Sequence, residues 1–158
     1  MLFGQPKLAA NPLLSSKLFD ERTFYPAFLK DLSSCQNEVI IESPYITSGR
    51  TRIVWPIFKK LIQNNVKIYI ITRNPKEHDQ VLSMQSETEI RKFEQIGVQT
   101  LICLGNHHRK LAIVDRTVLW EGSLNILSQT KSREIMRRID SKALSGQMFN
   151  FLKLERFI

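Results

Sequence analysis

The spacing of hydrophobic positions changes along the chain, and each spacing predicts a different element. Apolar residues at helical intervals predict helices, while short and nearly continuous apolar runs predict buried strands. The polar stretch 75–86 is predicted to be a mobile loop. The predicted helices cover 20–34, 53–65, 87–96 and 141–154, with a short helical segment at 126–132, and the predicted strands cover 38–46, 66–75, 98–104, 107–115, 117–125 and 134–139.

The order of these elements predicts an α/β fold. Through residue 104, helices and strands alternate, which favours parallel neighbouring strands joined by right-handed crossovers. A chain of 158 residues is long enough for one substantial core, and no repeat or linker divides it. We therefore expect a single domain over 1–158, with residues 1–19 as a candidate loosely ordered N-terminal arm.

The charge balance narrows the choice of partner. The net charge of +8 favours a polyanion, because basic side chains that neutralise phosphates release condensed counterions. Nucleic acid, an anionic membrane surface and ordinary solubility all remain open on charge alone. No apolar run reaches the roughly 18 residues that a membrane-spanning helix needs. The start of the chain also lacks the pattern of a secretory signal, so we expect a cytoplasmic protein without stable membrane insertion.

The cysteines and histidines give no sign of a metal site or a disulfide framework. Cys35 and Cys103 stand far apart and form no CxxC pattern. The chain has three histidines, and a structural zinc would want four ligands. We expect two reduced thiols, no cofactor and chemistry that requires no metal.

Residues 108–125 combine side chains that suit phosphate chemistry. Alternation along a strand would place His108 and Lys110 on one face, where a fixed cation offsets the repulsion between a phosphodiester and a nucleophile. Gly122 allows close backbone approach, Ser123 can cap the following helical turn, and the Asn125 amide can donate to a phosphoryl oxygen. Together these residues predict an anion-binding site.

This stretch resembles the signature of the phospholipase D superfamily, H-x-K-x4-D-x6-G-S-x-N, with every spacing kept. The resemblance extends from the SPYI segment at 43–46 to Glu134. It implies a phospholipase D-like α/β/α sandwich with a mixed, largely parallel central sheet, and a phosphodiesterase activity. It also implies that His108 attacks phosphorus and forms a covalent phosphohistidine that water hydrolyses.

Further site residues follow from the same resemblance. Glu134 stands where similar short members carry the carboxylate that holds the nucleophile's Nδ1–H. Asp115 belongs to the motif, but we expect it to act structurally at a hairpin turn. The family supplies a second histidine as general acid. His107 is expected on the opposite strand face and His78 in a polar loop, so two chains would have to pair as a homodimer.

Three basic residues are candidates for substrate binding together with Gly122. Arg109 and Arg116 flank the motif positions and could contact phosphates next to the one that is cleaved. Arg133 belongs to a basic group that is either a solvated face or a contact surface for a nucleic-acid backbone.

The leading interpretation is a metal-independent DNA or RNA endonuclease. One alternative is a phospholipase or phosphatidyl-transfer enzyme with the same catalytic residues. Another is a non-catalytic nucleic-acid-binding module of a larger helicase or restriction system. The sequence leaves open the choice between DNA and RNA, between single and double strands, and the sequence specificity.

Overall fold

The computed structural model describes residues 10–158. Across those residues, no helix is long and apolar enough to cross a membrane. Short 3-10 turns lie at Pro75–Glu77 and Leu154–Phe157. The strands of the described part are β1 (Lys17–Asp20), β2 (Glu38–Glu42), β3 (Lys67–Arg73), β4 (Gln99–Cys103), β5 (Leu111–Val114), β6 (Val118–Gly122) and β7 (Ile135–Asp140), and its α-helices are α1 (Phe24–Ser33), α2 (Ser48–Gln63), α3 (Gln80–Ile96) and α4 (Lys142–Phe151).

These strands form one sheet in the order β1-β7-β6-β5-β2-β3-β4. The strands β2, β3 and β4 run parallel, as the alternation of helices and strands predicted. The four remaining pairings are antiparallel. The mixed α/β arrangement is confirmed, but the parallel share is smaller than predicted. After β4 no helix separates the strands until β7 has ended, and parallel neighbours need such a crossover.

Helices cover both faces of the sheet. The helices α1, α2 and α3 pack on the face that carries Val39, Ile41 and Ile70, whereas α4 and the following turn pack on the face that carries Ile40 and Ile71. Consecutive residues of a strand point to opposite faces, so buried residues along β2 and β3 serve both layers in turn. The larger helix layer is filled by Phe24, Phe28, Leu32, Val54, Phe58, Ile90 and Phe93, and the smaller one by Phe149, Leu152 and Leu154.

The helix α3 begins earlier than the hydrophobic pattern predicted. The Asp79 side chain accepts a hydrogen bond from the Leu82 N–H at 3.0 Å, which is an N-cap, and Gly97 ends the helix with φ of 104°. The expected mobile loop at 75–86 is therefore wrong from residue 80 onward. Of residues 80–86 in the first turns of α3, only Ser86 is buried, so these turns lack the apolar stripe that reveals a helix. The helical segment expected at 126–132 is also absent, and 126–128 form only a turn.

The sequence did not predict β1, which joins the sheet beside β7 in antiparallel register. Lys17 lies opposite Arg138, and Asp20 lies opposite Ile135. The loosely ordered arm expected over 1–19 is therefore too long, since its last residues belong to the sheet. Its first part, 1–9, lies outside the described residues.

The two ends of the sheet carry different features. Glu42 lies opposite Leu111, which in turn lies opposite Glu121. The carboxyl ends of β2, β3, β4 and β6 therefore meet the amino ends of β5 and β7, and we call this the site end. The other end carries the turn between β5 and β6, and we call it the hairpin end.

Candidate active site

His108 and Lys110 lie together at the site end. The Lys110 Nζ is 2.7 Å from His108 Nδ1 and donates to the His108 carbonyl oxygen at 2.6 Å. Both residues precede β5, which begins at Leu111, so they are not within a strand as predicted. The predicted proximity of the imidazole and the ammonium is nevertheless present.

The neighbouring residues His107 and Arg109 contact a different partner. The Arg109 guanidinium binds the fully buried Glu42 carboxylate through two hydrogen bonds of 2.7 and 3.2 Å. His107 Nε2 lies 3.2 Å from the same carboxylate, at ion-pair distance but without hydrogen-bond geometry. Ile41 points to the face that α1, α2 and α3 cover. The adjacent Glu42 points to the opposite face, so this cluster lies on the α4 face of the sheet. The structure therefore separates Arg109 from His108.

The surroundings of His108 favour an uncharged imidazole. Partial burial lowers the pKa of His108, and the positive charges of Lys110 and Arg73 act in the same direction. Burial also lowers the pKa of Lys110, while the negative charge of Glu134 opposes that shift. A neutral imidazole near neutral pH has a lone pair available for attack or proton transfer.

Glu134 lies near Lys110 but does not hold the His108 ring in this structure. Its Oε1 accepts a hydrogen bond from the Ser132 hydroxyl at 2.7 Å, and its backbone N–H donates to Glu21 Oε2 at 3.0 Å. Lys110, and not Glu134, occupies the Nδ1 side of His108. With Lys110 charged, Nδ1 accepts, and the neutral ring then carries its proton on Nε2.

The segment after β6 brings the second half of the motif to the site end. Ser123 Oγ accepts the Ile135 N–H at 3.0 Å, so it joins β6 to β7 and does not cap a helical turn as expected. A Cβ at Gly122 would overlap the Ile135 carbonyl oxygen and lie 2.9 Å from Met136 Cα, which explains the glycine. The Asn125 Oδ1 is buried and has no hydrogen-bond partner among residues 10–158.

Asp115 and Arg116 lie at the hairpin end, roughly 15 Å along β5 from Lys110. The Asp115 carboxylate accepts backbone N–H bonds from Gln36, Asn37 and Glu38 at 2.8, 2.7 and 3.1 Å. Arg116 pairs with Glu38 and lies 3.6 Å over the Phe149 ring. The structure therefore does not bring either residue to His108. Arg133, in contrast, is exposed in the segment that leads to Glu134.

Two residues near His108, Tyr45 and Arg73, were missed by the sequence analysis. The Tyr45 ring lies 6.0 Å from the His108 ring in an edge-on orientation and 4.9 Å from the His78 ring. Arg73 acts on His108 through its charge. Tyr45 and Arg73 stand at the carboxyl ends of β2 and β3, and ligands of open α/β sheets bind beside such ends. That rule could have found both residues from the sequence. Within residues 10–158, no group of three or more His, Cys, Asp or Glu side chains could hold a metal ion.

Comparison with known protein families shows which family the chain belongs to. Residues 28–153 match the family described as "Cardiolipin synthase, PLD-like domain", and this range is most of the sequence. The chain belongs to the phospholipase D superfamily. The superfamily predicted from residues 108–125 is confirmed, and membership makes this protein a phosphodiesterase-type enzyme.

Solved structures share the fold of this phospholipase D superfamily member. NucT from Helicobacter pylori is 20% identical, with a TM-score of 0.68 over 87% of this chain and 92% of its own. Nuc from Salmonella typhimurium, a phospholipase D family member, is 14% identical, with a TM-score of 0.73 over 87% of this chain and 91% of its own. The phosphatidylserine synthase of Haemophilus influenzae Rd KW20 is 14% identical, with a TM-score of 0.65 over 85% of this chain but only 37% of its own. Comparison with curated proteins gave no match.

Proposed function

We propose that this phospholipase D superfamily member is a nuclease that cleaves DNA or RNA without a metal ion, in an active site shared by two copies of the chain. The observation that carries the proposal is the contact between His108 and Lys110 at the site end. Asn125 and Glu134 lie on the adjoining segment. There the Asn125 amide can donate to a phosphoryl oxygen, and the Glu134 carboxylate can accept the His108 Nδ1–H.

The chemistry proceeds in two displacements at phosphorus. His108 Nε2 attacks, a P–N bond forms, and the P–O bond to the leaving nucleotide breaks. Water then attacks the phosphohistidine, and the P–N bond breaks to release the product. Attack requires a free Nε2, so the proton must lie on Nδ1. An anionic phosphate draws the Lys110 ammonium away from Nδ1. The ring then loses its Nε2 proton to solvent and gains one on Nδ1, and the Nδ1–H donates to the Glu134 carboxylate.

A second copy supplies the general acid. The leaving oxygen needs a proton, and the chain carries the motif only once. The His108 of the second copy, as the doubly protonated imidazolium, donates this proton from Nε2–H, becomes neutral, and later accepts a proton from the attacking water.

The charge and the matching solved structures favour nucleic acid as the substrate. The net charge of +8 suits a polyanion. NucT and Nuc are two of the matching structures, and each is covered over more than nine-tenths of its own length. The phosphatidylserine synthase instead contains this fold as little more than a third of its chain.

The test is cleavage of single- and double-stranded DNA and RNA in EDTA by the wild type and by His108→Asn. We expect the wild type to cleave at least one of these substrates and the variant to lose roughly 10³-fold or more of that activity. The matched control is His107→Gln, which alters the adjacent imidazole on the other sheet face and should retain most of the activity. Specific activity should also fall on dilution, because the site needs two copies. Full activity of His108→Asn in EDTA would rule out the mechanism.

Phosphatidyl transfer is the second candidate, because the matching family carries the description of a cardiolipin synthase domain. The same two proteins can be incubated with vesicles that contain phosphatidylglycerol, and the lipid products measured. Lipid turnover that requires His108, without cleavage of any nucleic acid, would replace the nuclease proposal with this one.

A further inference from the structure

The segment that delivers His108 makes a sharp turn after β4. Gly105 has φ of 85° and Asn106 has φ of 59°, so both residues occupy the left-handed region. Only glycine enters that region freely, and asparagine tolerates it better than most residues. Two such residues in succession need outside contacts to keep one conformation, because the segment belongs to no helix or strand.

The Glu77 carboxylate supplies these contacts. Its Oε1 accepts the Gly105 N–H at 2.9 Å, and its Oε2 accepts the Asn106 N–H at 3.2 Å. Two successive N–H groups that converge on one anion form the arrangement known as a nest. The bond from Gly105 is the main reason that the pKa of Glu77 lies below its usual value, so the carboxylate is charged where it binds the turn.

Arg73 connects this turn to the sheet. Its Nε donates to Glu77 Oε2 at 2.9 Å, and its Nη2 donates to Asn106 Oδ1 at 2.7 Å. Its Nη1 lies 3.5 Å from the Tyr45 hydroxyl, beside the ring that contacts His108. The Arg73 side chain is only 17% exposed and is the last residue of β3, so it is a fixed support and not a mobile surface cation.

We propose that Arg73 and Glu77 are positioning residues that hold the turn at 105–106 and thereby fix the His108 imidazole in the orientation that attacks phosphorus. This inference rests on the proposed function for its chemical consequence. Arg73 has a second effect, because its positive charge disfavours protonation of His108. Among the other groups that act on the pKa of His108, Lys110 lowers it and His107 contributes least, while Glu134 acts on Lys110.

If Arg73 and Glu77 only stabilised the fold, their substitution would lower the stability of the protein and leave the pKa of His108 unchanged. The two roles are separated by titrating the His108 imidazole by NMR, without substrate, in the wild type and in Arg73→Met, Arg73→Lys and Glu77→Gln. Lys76→Met is the matched control, because it removes an exposed cation from the same turn. We expect Arg73→Met to raise the pKa of His108, Arg73→Lys to keep it near the wild-type value, and Lys76→Met to leave it unchanged.

Kinetics give the second readout. Arg73→Met and Glu77→Gln should lower kcat roughly 10- to 100-fold with little change in KM, since small misplacements of a reacting group have effects of this size. Arg73→Lys should restore the titration but only part of kcat, because lysine keeps the charge and cannot make the same set of bonds. An unchanged His108 titration together with wild-type kcat in Arg73→Met and Glu77→Gln would overturn the inference. If the wild type cleaves no nucleic acid, the proposed function fails, and the titration still decides whether Arg73 acts on His108.

Discussion

Replacing Asp115 should destabilise the protein without removing its chemistry. Asp115 lies at the hairpin end, far from His108, and its carboxylate binds three consecutive backbone N–H groups, those of Gln36, Asn37 and Glu38. Its own φ is 51°, which an aspartate tolerates better than an alanine does. Asp115→Ala removes the acceptor and leaves alanine in the left-handed region, whereas Asp115→Asn keeps one oxygen and a side chain suited to that region.

The magnitude follows from these contacts. A typical intramolecular hydrogen bond contributes about 0.5–1.5 kcal/mol, and two of these three bonds are exposed to solvent, so their loss costs about 2 kcal/mol in all. The left-handed conformation adds roughly 1 kcal/mol for alanine. We expect Asp115→Ala to lower the free energy of unfolding by about 3 kcal/mol and Asp115→Asn by about 1 kcal/mol. For a chain of this size, 1 kcal/mol corresponds to about 2–4 °C in Tm.

Urea and thermal unfolding followed by circular dichroism measure this loss, and cleavage assays below the transition measure activity. Both variants should retain near wild-type activity per folded molecule. An Asp115→Ala protein as stable as the wild type but inactive would refute the structural role and indicate that Asp115 takes part in the chemistry.

The stability that Asp115 contributes should also depend on pH. Burial works to raise the pKa of Asp115, but the three N–H bonds outweigh it and the net shift is downward. The carboxylate therefore stabilises the fold above its unfolded pKa of about 3.9, and this contribution is lost as pH falls through the lower folded value.

Three other predictions follow from single residues. Gly122→Ala should destabilise the protein by roughly 3 kcal/mol, because the new methyl group meets the β7 backbone; an undiminished urea midpoint would contradict this. Cleavage should decline on acidification only below about pH 6.5, since attack needs neutral His108 and its pKa is lowered; an acid limb centred above that value would argue against His108 as the nucleophile. In the native protein, a thiol reagent should modify Cys103 before Cys35, because burial raises the pKa of Cys35 to about 12; mass spectrometry that finds the reverse order would be inconsistent with this environment.

Much of the architecture could be predicted because it depends on local patterns. The apolar runs that became β2, β3 and β4 are separated by helices, so their parallel order follows from connection rules. The proximity of His108 and Lys110 was predicted from strand alternation, and it is present although both residues precede β5. The structural role of Asp115 at a hairpin turn was also expected, and its place between two strand patterns was the available signal.

The remaining features depend on long-range pairings that no local pattern encodes. Arg109 is next to His108 in sequence, yet it binds Glu42, a buried carboxylate 67 positions earlier. Lys110, and not Glu134, is the neighbour of His108 Nδ1, and the sequence pattern does not encode the side-chain geometry that decides between them. The strand β1 is only four residues long and mostly exposed, so its amphipathic signal was too weak to separate it from an arm.

The site end and the hairpin end differ in how sequence changes between related proteins would affect them. The tight turn with Asp115, which closes the β5–β6 hairpin, shares no residue with the segments that surround His108. Those segments are 44–47, 74–79, 104–110 and 123–134, and each connects elements whose pairing is already set within the sheet or by the core. Insertions at positions of these segments that hold no site residue, such as 130–131, can reshape the surroundings of His108 without altering strand register. A scaffold of this kind can change its phosphodiester substrates through the length of such loops, and an engineer seeking altered specificity should vary those positions first.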